Sequence, residues 1–238
     1  MYRKRRILAV LLVLLCLGGI AGYVVYTKTV KDYVDCARML SGVYNADRSD
    51  LSFYVTIDTA GQAVNTQFRA VRFPFQNSTA TQITISGLGG DYVFYKVNGR
   101  SVTQEQEENS EEQNGIPRNF MELIQWGKEI YQSDLEIQKI KDRGAATYTV
   151  QVPDEMVQSF MDAYLGKLEA IDLKYSGCKL TLTGNGKTMT DLALQGKADY
   201  RVLFVNTTTN ILVRARVNAL GDKVQVPDVP DYVVKAAN

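Results

Sequence analysis

Histidine is absent from this chain of 238 residues, and cysteine and tryptophan are scarce, with three and one respectively. Without histidine, the protein has no Ser–His or Cys–His nucleophile pair and no imidazole ligand for a metal ion. Three cysteines are also too few for a Cys₄ zinc site. We therefore predict no catalytic residue, no metal site and no cofactor.

Two motifs that serve enzymes or nucleotide-binding proteins without histidine are only partial here. Ser176 and Lys179 have a Ser-x-x-Lys spacing, but they lie in an alternating strand pattern and not at the start of a helix. Residues 186–188 resemble the end of a phosphate-binding loop, but the position of its first glycine is Thr181. An enzyme is therefore the third hypothesis for this chain.

Basic and acidic residues nearly balance, with 27 of the first and 26 of the second. Four of the basic residues precede the first hydrophobic segment, namely Arg3, Lys4, Arg5 and Arg6. The remainder has 23 basic and 26 acidic residues, a balance that gives no electrostatic footprint for nucleic acid. We predict no nucleic-acid partner.

The longest hydrophobic stretch covers residues 7–26 and contains no charge. At 1.5 Å per helical residue it spans roughly the 30 Å hydrocarbon core of a bilayer. Because basic residues are concentrated before it, the N-terminus is expected inside the cell and the rest outside. We predict a cytoplasmic tail at residues 1–6, a transmembrane signal anchor at residues 7–26, and location in the cell membrane.

Two other interpretations of this segment stay open. Gly19-Ile20-Ala21 resembles the cleavage site of a signal peptide, although the apolar run is longer than the usual ~7–15 residues of a signal core. Cys16 has the position of a lipid-modified cysteine, but Leu15 before it is larger than the side chain that a lipoprotein signal requires. We retain the uncleaved anchor as the main prediction.

Cys36 and Cys178 are the two cysteines that follow the hydrophobic segment. An oxidising compartment would permit them to form a disulfide. Their separation in the sequence does not show whether the fold brings their Cα atoms within the distance that a disulfide requires. Both a Cys36–Cys178 disulfide and two buried free thiols stay open, and we favour the free thiols.

The periodicity of apolar residues predicts an α+β fold. Residues 29–45 follow a period near 3.6 and indicate a stalk or first packed helix within residues 27–50. From residue 51 the period is two, and strands at hairpin spacing predict an antiparallel sheet in a domain that covers residues 51–238. The predicted strands are 51–57, a run ending at 75, 81–86, 92–97, 101–103, 135–140, 145–152, 173–183, 188–200, 202–205, 211–219 and 224–226, with a polar turn at 206–210.

Two further helices and one loop interrupt the strands. Residues 104–115 contain five glutamates and no apolar side chain, and predict a mobile acidic loop. A helix is predicted at residues 117–131, and another begins after Pro153. The second has a wide apolar face, which we expect to pack on the sheet. That face consists of Met156, Val157, Phe160, Met161, Tyr164, Leu165, Leu168 and Ile171.

The order of these elements resembles the LolA/LppX-type lipoprotein-carrier superfamily. The resemblance rests on the strand at 51–57, the Tyr95-Lys96-Val97-Asn98-Gly99-Arg100 hairpin, the mid-chain helix, the Val152-Pro153-Asp154 helix start and the Val226-Pro227-Asp228 strand end. It covers roughly residues 51–230. It implies a strongly curved antiparallel sheet, an incomplete barrel, over two or three helices that cap its concave side.

The resemblance also implies a non-enzymatic envelope protein that holds a lipid or another apolar ligand between sheet and helices. Phe160, Met161, Tyr164 and Leu165 are then the candidate ligand-facing residues, unless their face is a filled core. The second hypothesis is an anchored protein–protein interaction module, a sensor or assembly factor, with a solid core and an exposed apolar patch. The expected partners are the bilayer, an apolar ligand and an envelope protein.

Overall fold

A computed structural model of the chain describes residues 30–87, 90–97, 100–102, 121–165, 173–202 and 205–236. The predicted tail and anchor at residues 1–26 and the predicted acidic loop at residues 104–115 lie outside the described residues. In the part of the chain that is described, every helix is too short or too polar to cross a bilayer.

Ten strands form one antiparallel sheet in the order β5-β4-β3-β2-β1-β10-β9-β8-β7-β6. The first and last strands pair at its centre, so an N-terminal meander and a C-terminal meander make the two halves. The strands are β1 (Ser49–Thr59), β2 (Gln62–Phe75), β3 (Ser78–Gly87), β4 (Gly90–Val97), β5 (Arg100–Val102), β6 (Ile137–Asp142), β7 (Ala145–Gln151), β8 (Lys174–Gly184), β9 (Met189–Val202) and β10 (Val205–Leu220).

Alternation of side chains decides which face of the sheet is the core. Phe53 of β1 lies opposite Phe68 of β2 and Ala215 of β10, and all three are buried on one face, called here the inner face. The rings of Phe53 and Phe68 stack with their centroids 5.0 Å apart. The period of two that the sequence shows from residue 51 is thus the period of a half-buried strand.

Three helices pack on the inner face: α1 (Lys31–Tyr44), α2 (Met121–Gln132) and α3 (Asp154–Leu165). Cys36, Met39, Leu40 and Val43 of α1 are fully buried, so this helix is packed in the core and is not a free stalk. Gly184 of β8 allows the close approach of α1, because an added Cβ would clash with the sulfur of Met39. The predicted α+β class with an open antiparallel sheet is confirmed.

Polar contacts fix α1 at both ends. Near its start, Tyr33 Oη donates to the carbonyl oxygen of Leu135 at 2.8 Å, and Lys139 of β6 pairs with Asp32. At its end, Arg72 of β2 donates through Nη2 to the carbonyl oxygen of Tyr44 at 2.9 Å. A cation there also suits the negative end of the helix dipole.

A second, smaller core lies on the outer face of the N-terminal half. Tyr95 and its neighbours on β2 to β4 pack there against the C-terminal segment, which ends in the short helix α4 (Asp231–Ala236). Tyr95 Oη donates to the carbonyl oxygen of Asp228 at 3.1 Å, and its ring meets that of Tyr232 edge to face. This half of the sheet is therefore covered from outside by the end of the chain.

Two strand predictions near the C-terminus are wrong. Residues 206–210 are not a turn but part of β10, where Thr208 and Thr209 pair with β9 and Thr209 Oγ1 donates to the carbonyl oxygen of Asp58 at 2.9 Å. The predicted separate strand at 202–205 is wrong at both of its ends, because Val202 belongs to β9 and Val205 to β10, while residues 203–204 lie outside the described residues. Residues 224–226 are not a strand, because Val224 instead packs into the outer core, and the following Pro227 and Pro230 have no N–H for a ladder.

Candidate functional site

The four residues predicted to face a ligand lie on α3. Met161 is buried in the main core, with 5% of its surface exposed. Phe160 is half-buried, and its ring stacks on Trp126 of α2 with centroids 4.3 Å apart. The side chains of Tyr164 and Leu165 lie outside the described part of the structure. The ligand-facing role of this set stays a prediction.

Helix α3 is fixed to the first residues of β8. The backbone N–H of Gly177 donates to Asp154 Oδ1 at 3.2 Å, and that of Tyr175 donates to Gln158 Oε1 at 3.4 Å. Val157 is fully buried between them. One side of α3 therefore belongs to the packed core, and the side that bears Phe160 turns toward α2.

The inner face of the sheet is covered unevenly. Along β1 the exposed fraction rises from 1% at Phe53 to 43% at Ile57, and along β2 it rises from 6% at Phe68 to 65% at Val64. Ile57 and Val64 lie directly opposite each other. The apolar lining of the core thus continues on the same face beyond the part that the described helices cover.

Three more apolar residues lie on the same face, and Phe68 of β2, opposite Ile85, connects them to this region through the edge of the core. Val55 and Ile85 are half-buried at the margin of the core, and Tyr92 of β4 lies opposite Ile85. We call Val55, Ile57, Val64, Ile85 and Tyr92 the apolar strip. A contiguous apolar surface that extends from a core is a usual mark of a binding region, whereas isolated exposed apolar residues are not.

The polar residues that border the strip carry no charge. On the inner face, Thr66 of β2 lies opposite Val55. At the end of β1, the hydroxyl of Thr59 donates to that of Thr209 at 2.9 Å. The alternation therefore gives this end of the inner face apolar and hydroxyl side chains in the strands described, a lining suited to an uncharged, largely apolar molecule.

A groove of about 560 Å³ separates α2 from α3 on the side away from the sheet. It contains Phe160, the one predicted ligand-facing residue that reaches it among those whose side chains are described. Its lining is amphipathic and acidic: Glu122, Gln125, Trp126 and Glu129 of α2, with Glu155, Met156, Ser159 and Phe160 of α3. The sequence indicated both helices but not that they would face each other here.

The two thiols are free and buried. Burial, with help from Asp32 and Asp35, raises the pKa of Cys36 far above its ordinary value, and burial also raises the pKa of Cys178. Both are therefore protonated at neutral pH, the state in which a thiol is a poor nucleophile and metal ligand. Their role is packing: an added Cβ on Gly196 would clash with the sulfur of Cys178.

In the part of the chain that the structure describes, buried side-chain nitrogens and oxygens have hydrogen-bond partners, with Nε of Arg72 as the exception. Tyr131 Oη donates to the carbonyl oxygens of Tyr148 at 2.6 Å and Leu180 at 3.1 Å, and burial raises its pKa far above the ordinary value. Among the described residues, no three His, Cys, Asp or Glu side chains lie close enough together to hold a metal ion.

No protein-family model and no curated protein matches this chain. Its fold is similar to that of a DUF1329 family protein from Desulfovibrio piger, which is 11% identical over 80% of this chain and 93% of that one, with a TM-score of 0.28. It is also similar to a LolA superfamily protein from Nitrosomonas europaea, 5% identical over 82% and 96%, with a TM-score of 0.30.

A dehydratase domain from the CurK module of curacin polyketide synthase is 12% identical, covers 75% of this chain and 80% of its own, and has a TM-score of 0.14. TM-scores and identities this low carry no argument about activity. The structure shows the predicted antiparallel sheet with helices packed on one face, and the resemblance to the LolA/LppX-type superfamily stays a prediction. The functional argument rests on the apolar strip and the groove.

Proposed function

We propose that this chain is a non-enzymatic binding protein of the cell envelope that holds a lipid or another apolar molecule against the inner face of its sheet. The observation that carries the proposal is the apolar strip, where Ile57 and Val64 stay 43% and 65% exposed on the same face as the core. An apolar ligand laid along the strip would replace water on a surface that already has the chemistry of an interior.

The energy available from the strip fits a molecule of acyl-chain size. Covering the exposed parts of Ile57 and Val64 contributes about 1.5–3 kcal/mol in total, because each exposed fraction is a share of the roughly 1.5–3 kcal/mol for full burial of such a side chain. That amount alone gives binding weaker than millimolar. A ligand that also covers Tyr92, Val55 and Ile85 would bind more tightly, so an extended chain is favoured over a compact molecule.

The predicted anchor gives this site a source of ligand. Helix α1 begins at Lys31, soon after the predicted span at residues 7–26, and is packed into the domain. A retained anchor would therefore hold the sheet close to the outer surface of the cell membrane, with the N-terminus in the cytoplasm. Lipid would reach the strip over a short distance.

The proposal is tested by native mass spectrometry of the full chain, released from an uncharged detergent after incubation with a lipid extract. Val64→Glu places a charge in the strip at an exposed position, and Gln67→Glu places the same charge on the outer face of the same strand. We expect lipid adducts on the wild type and on Gln67→Glu, and at least tenfold fewer on Val64→Glu. Equal adducts on both variants would refute the proposed site.

A further inference from the structure

The groove between α2 and α3 has a charge that its own residues do not neutralise. Three of its lining side chains are carboxylates, Glu122, Glu129 and Glu155, and none is a lysine or arginine. Glu129 accepts a hydrogen bond from the neutral Gln125 at 3.1 Å. Glu122 has a cation nearby in Lys96 of β4, outside the lining. The groove as a whole is negative.

The acidic surface continues along α3. A neighbouring depression of about 440 Å³ is lined by Asp154, Glu155 and Asp162, with Lys174 as its one basic residue. The sequence of α3 itself contains no lysine or arginine. Lys174 and Lys96 offset part of this negative charge and solvent screens the remainder, so a basic partner would find a complementary field over both depressions.

The helix dipole explains some of these carboxylates but not all. Asp154, Glu155 and Glu122 lie in first turns, where negative charge stabilises a helix. Glu129 and Asp162 lie toward the C-terminal ends of their helices, where the dipole disfavours a carboxylate and no basic residue follows in the last turn. Hydrogen bonds from Gln125 to Glu129 and from Gln158 to Asp162 support the helices locally, but these neutral donors do not neutralise the two charges.

A metal ion does not account for the cluster either. In the described part of the chain, no three acidic, histidine or cysteine side chains approach closely enough to hold one. The carboxylates are spread along two helices. Glu122 and Glu129 are separated by two helical turns, a distance of about 10 Å. Such spacing suits several separate cations better than one ion.

The floor of the groove is apolar and adaptable. The stacked rings of Trp126 and Phe160 lie between the carboxylates, and Met156 beside them is 37% exposed. Methionine fits varied partners because its side chain is unbranched and polarizable. A volume of about 560 Å³ accommodates a few side chains of a partner.

We propose that this groove binds a basic amphipathic helix of a partner protein, whose lysines or arginines pair with Glu122, Glu129 and Glu155 while an apolar side chain rests on Met156 and the stacked rings. Cations seven residues apart on such a helix would match the two carboxylates of α2. This site is separate from the apolar strip and does not depend on the proposed function.

Trp126 makes a direct test feasible, because it is the single tryptophan of the chain and lines the groove. The full chain in an uncharged detergent is titrated with a helical Leu/Lys model peptide that contains no tryptophan, and the fluorescence of Trp126 is followed. We expect a saturable change that weakens as salt is raised, and no change with the matching Leu/Glu peptide.

The decisive variant combines Glu122→Gln, Glu129→Gln and Glu155→Gln. A control of equal charge combines Asp47→Asn, Asp142→Asn and Asp222→Asn, all exposed positions outside the groove lining. We expect at least tenfold weaker peptide binding by the first and wild-type binding by the second, with unchanged circular dichroism in both. Absence of a saturable signal in the wild type, or equal loss in both variants, would overturn the proposal.

Discussion

The two halves of the sheet use their faces in opposite ways. In the C-terminal half, helices cover the middle of the inner face of β8 and β9, where Leu180, Leu182, Leu192 and Leu194 have no exposed surface. In the N-terminal half, part of the inner face stays exposed at Ile57 and Val64, and the outer face instead has a small core against the C-terminal segment. One half is a packed scaffold, and the other has an uncovered apolar surface.

This difference shows how a single antiparallel sheet can combine a packed core with an exposed apolar surface. The pairing of β1 with β10 joins the halves rigidly, so the strip does not need helices above it to keep its shape. The outer core of the N-terminal half buries apolar surface that compensates for the apolar surface left exposed on the inner face. Because this half is stabilised in that way, the strip can stay uncovered and accessible to a ligand.

The largest expected effect contrasts the two halves directly. Leu192→Ala removes a fully buried side chain that lies beside Gly127 of α2, where an added Cβ would come within 3.1 Å of it, and should lower the free energy of unfolding by about 2–5 kcal/mol. Val64→Ala, at an exposed position, should change it by less than about 0.5 kcal/mol. Urea denaturation of both variants measures this. Similar losses would mean that the strip is structural.

A smaller effect is expected at the stacked ring of α3. Phe160→Ala should destabilise the fold by about 1–2 kcal/mol, less than the roughly 3–5 kcal/mol for a fully buried Phe, because the ring is half-buried and its main partner is Trp126. Thermal unfolding, followed by circular dichroism, is the measurement. A loss as large as that of Leu192→Ala would place Phe160 within the filled core.

The smallest effect is a pH dependence on the outer face of the N-terminal half. Burial works against ionisation of Asp50, but hydrogen bonds from Arg69 at 2.6 and 2.9 Å and from Asn218 at 2.9 Å hold its pKa below the usual value. Because the folded-state pKa is the lower one, these contacts stabilise the fold above about pH 4 and are lost on further acidification.

Asp50→Asn should therefore lower stability at pH 7 and show a shallower fall than the wild type below about pH 4. Urea denaturation between pH 7 and about pH 2.5 tests this expectation. Asp47→Asn, at an exposed position three residues earlier in the sequence, serves as the control. Parallel pH profiles for wild type and Asp50→Asn would show that the Asp50–Arg69 pair does not contribute.

Sequence periodicity predicted the positions of helices and strands better than it predicted which of them pair or pack together. Alternation at residues 51–57 identified β1 and its inward face, and the hairpin predicted from the Asn98-Gly99 pair agrees with the pairing of β4 and β5, in which Val97 lies opposite Arg100. The threonine-rich stretch at 206–210 was misjudged because polar β-branched residues serve in strands as well as in turns. The pairing of β1 with β10 is non-local and has no local signal in one sequence.

The candidate sites were harder to predict for the same reason. Ile57 and Val64 belong to the same alternation as Phe53 and Phe68, so periodicity gives their face but not whether a helix covers it. The stacking of Trp126 on Phe160 joins two helices whose relative position only the fold determines. The sequence therefore indicated the apolar face of α3 as the candidate site, whereas the structure indicates the exposed apolar strip at the uncovered end of the sheet.

The central claim is that an apolar ligand lies on the strip, and photo-crosslinking locates it most directly. The full chain in an uncharged detergent is incubated with a photoactivatable fatty acid, irradiated and digested, and the labelled peptides are identified by mass spectrometry. Label concentrated at Val55, Ile57, Val64, Ile85 and Tyr92, and displaced by an excess of unlabelled fatty acid, is the predicted result. Displaceable label confined to the outer face or to the α2–α3 groove would contradict the account.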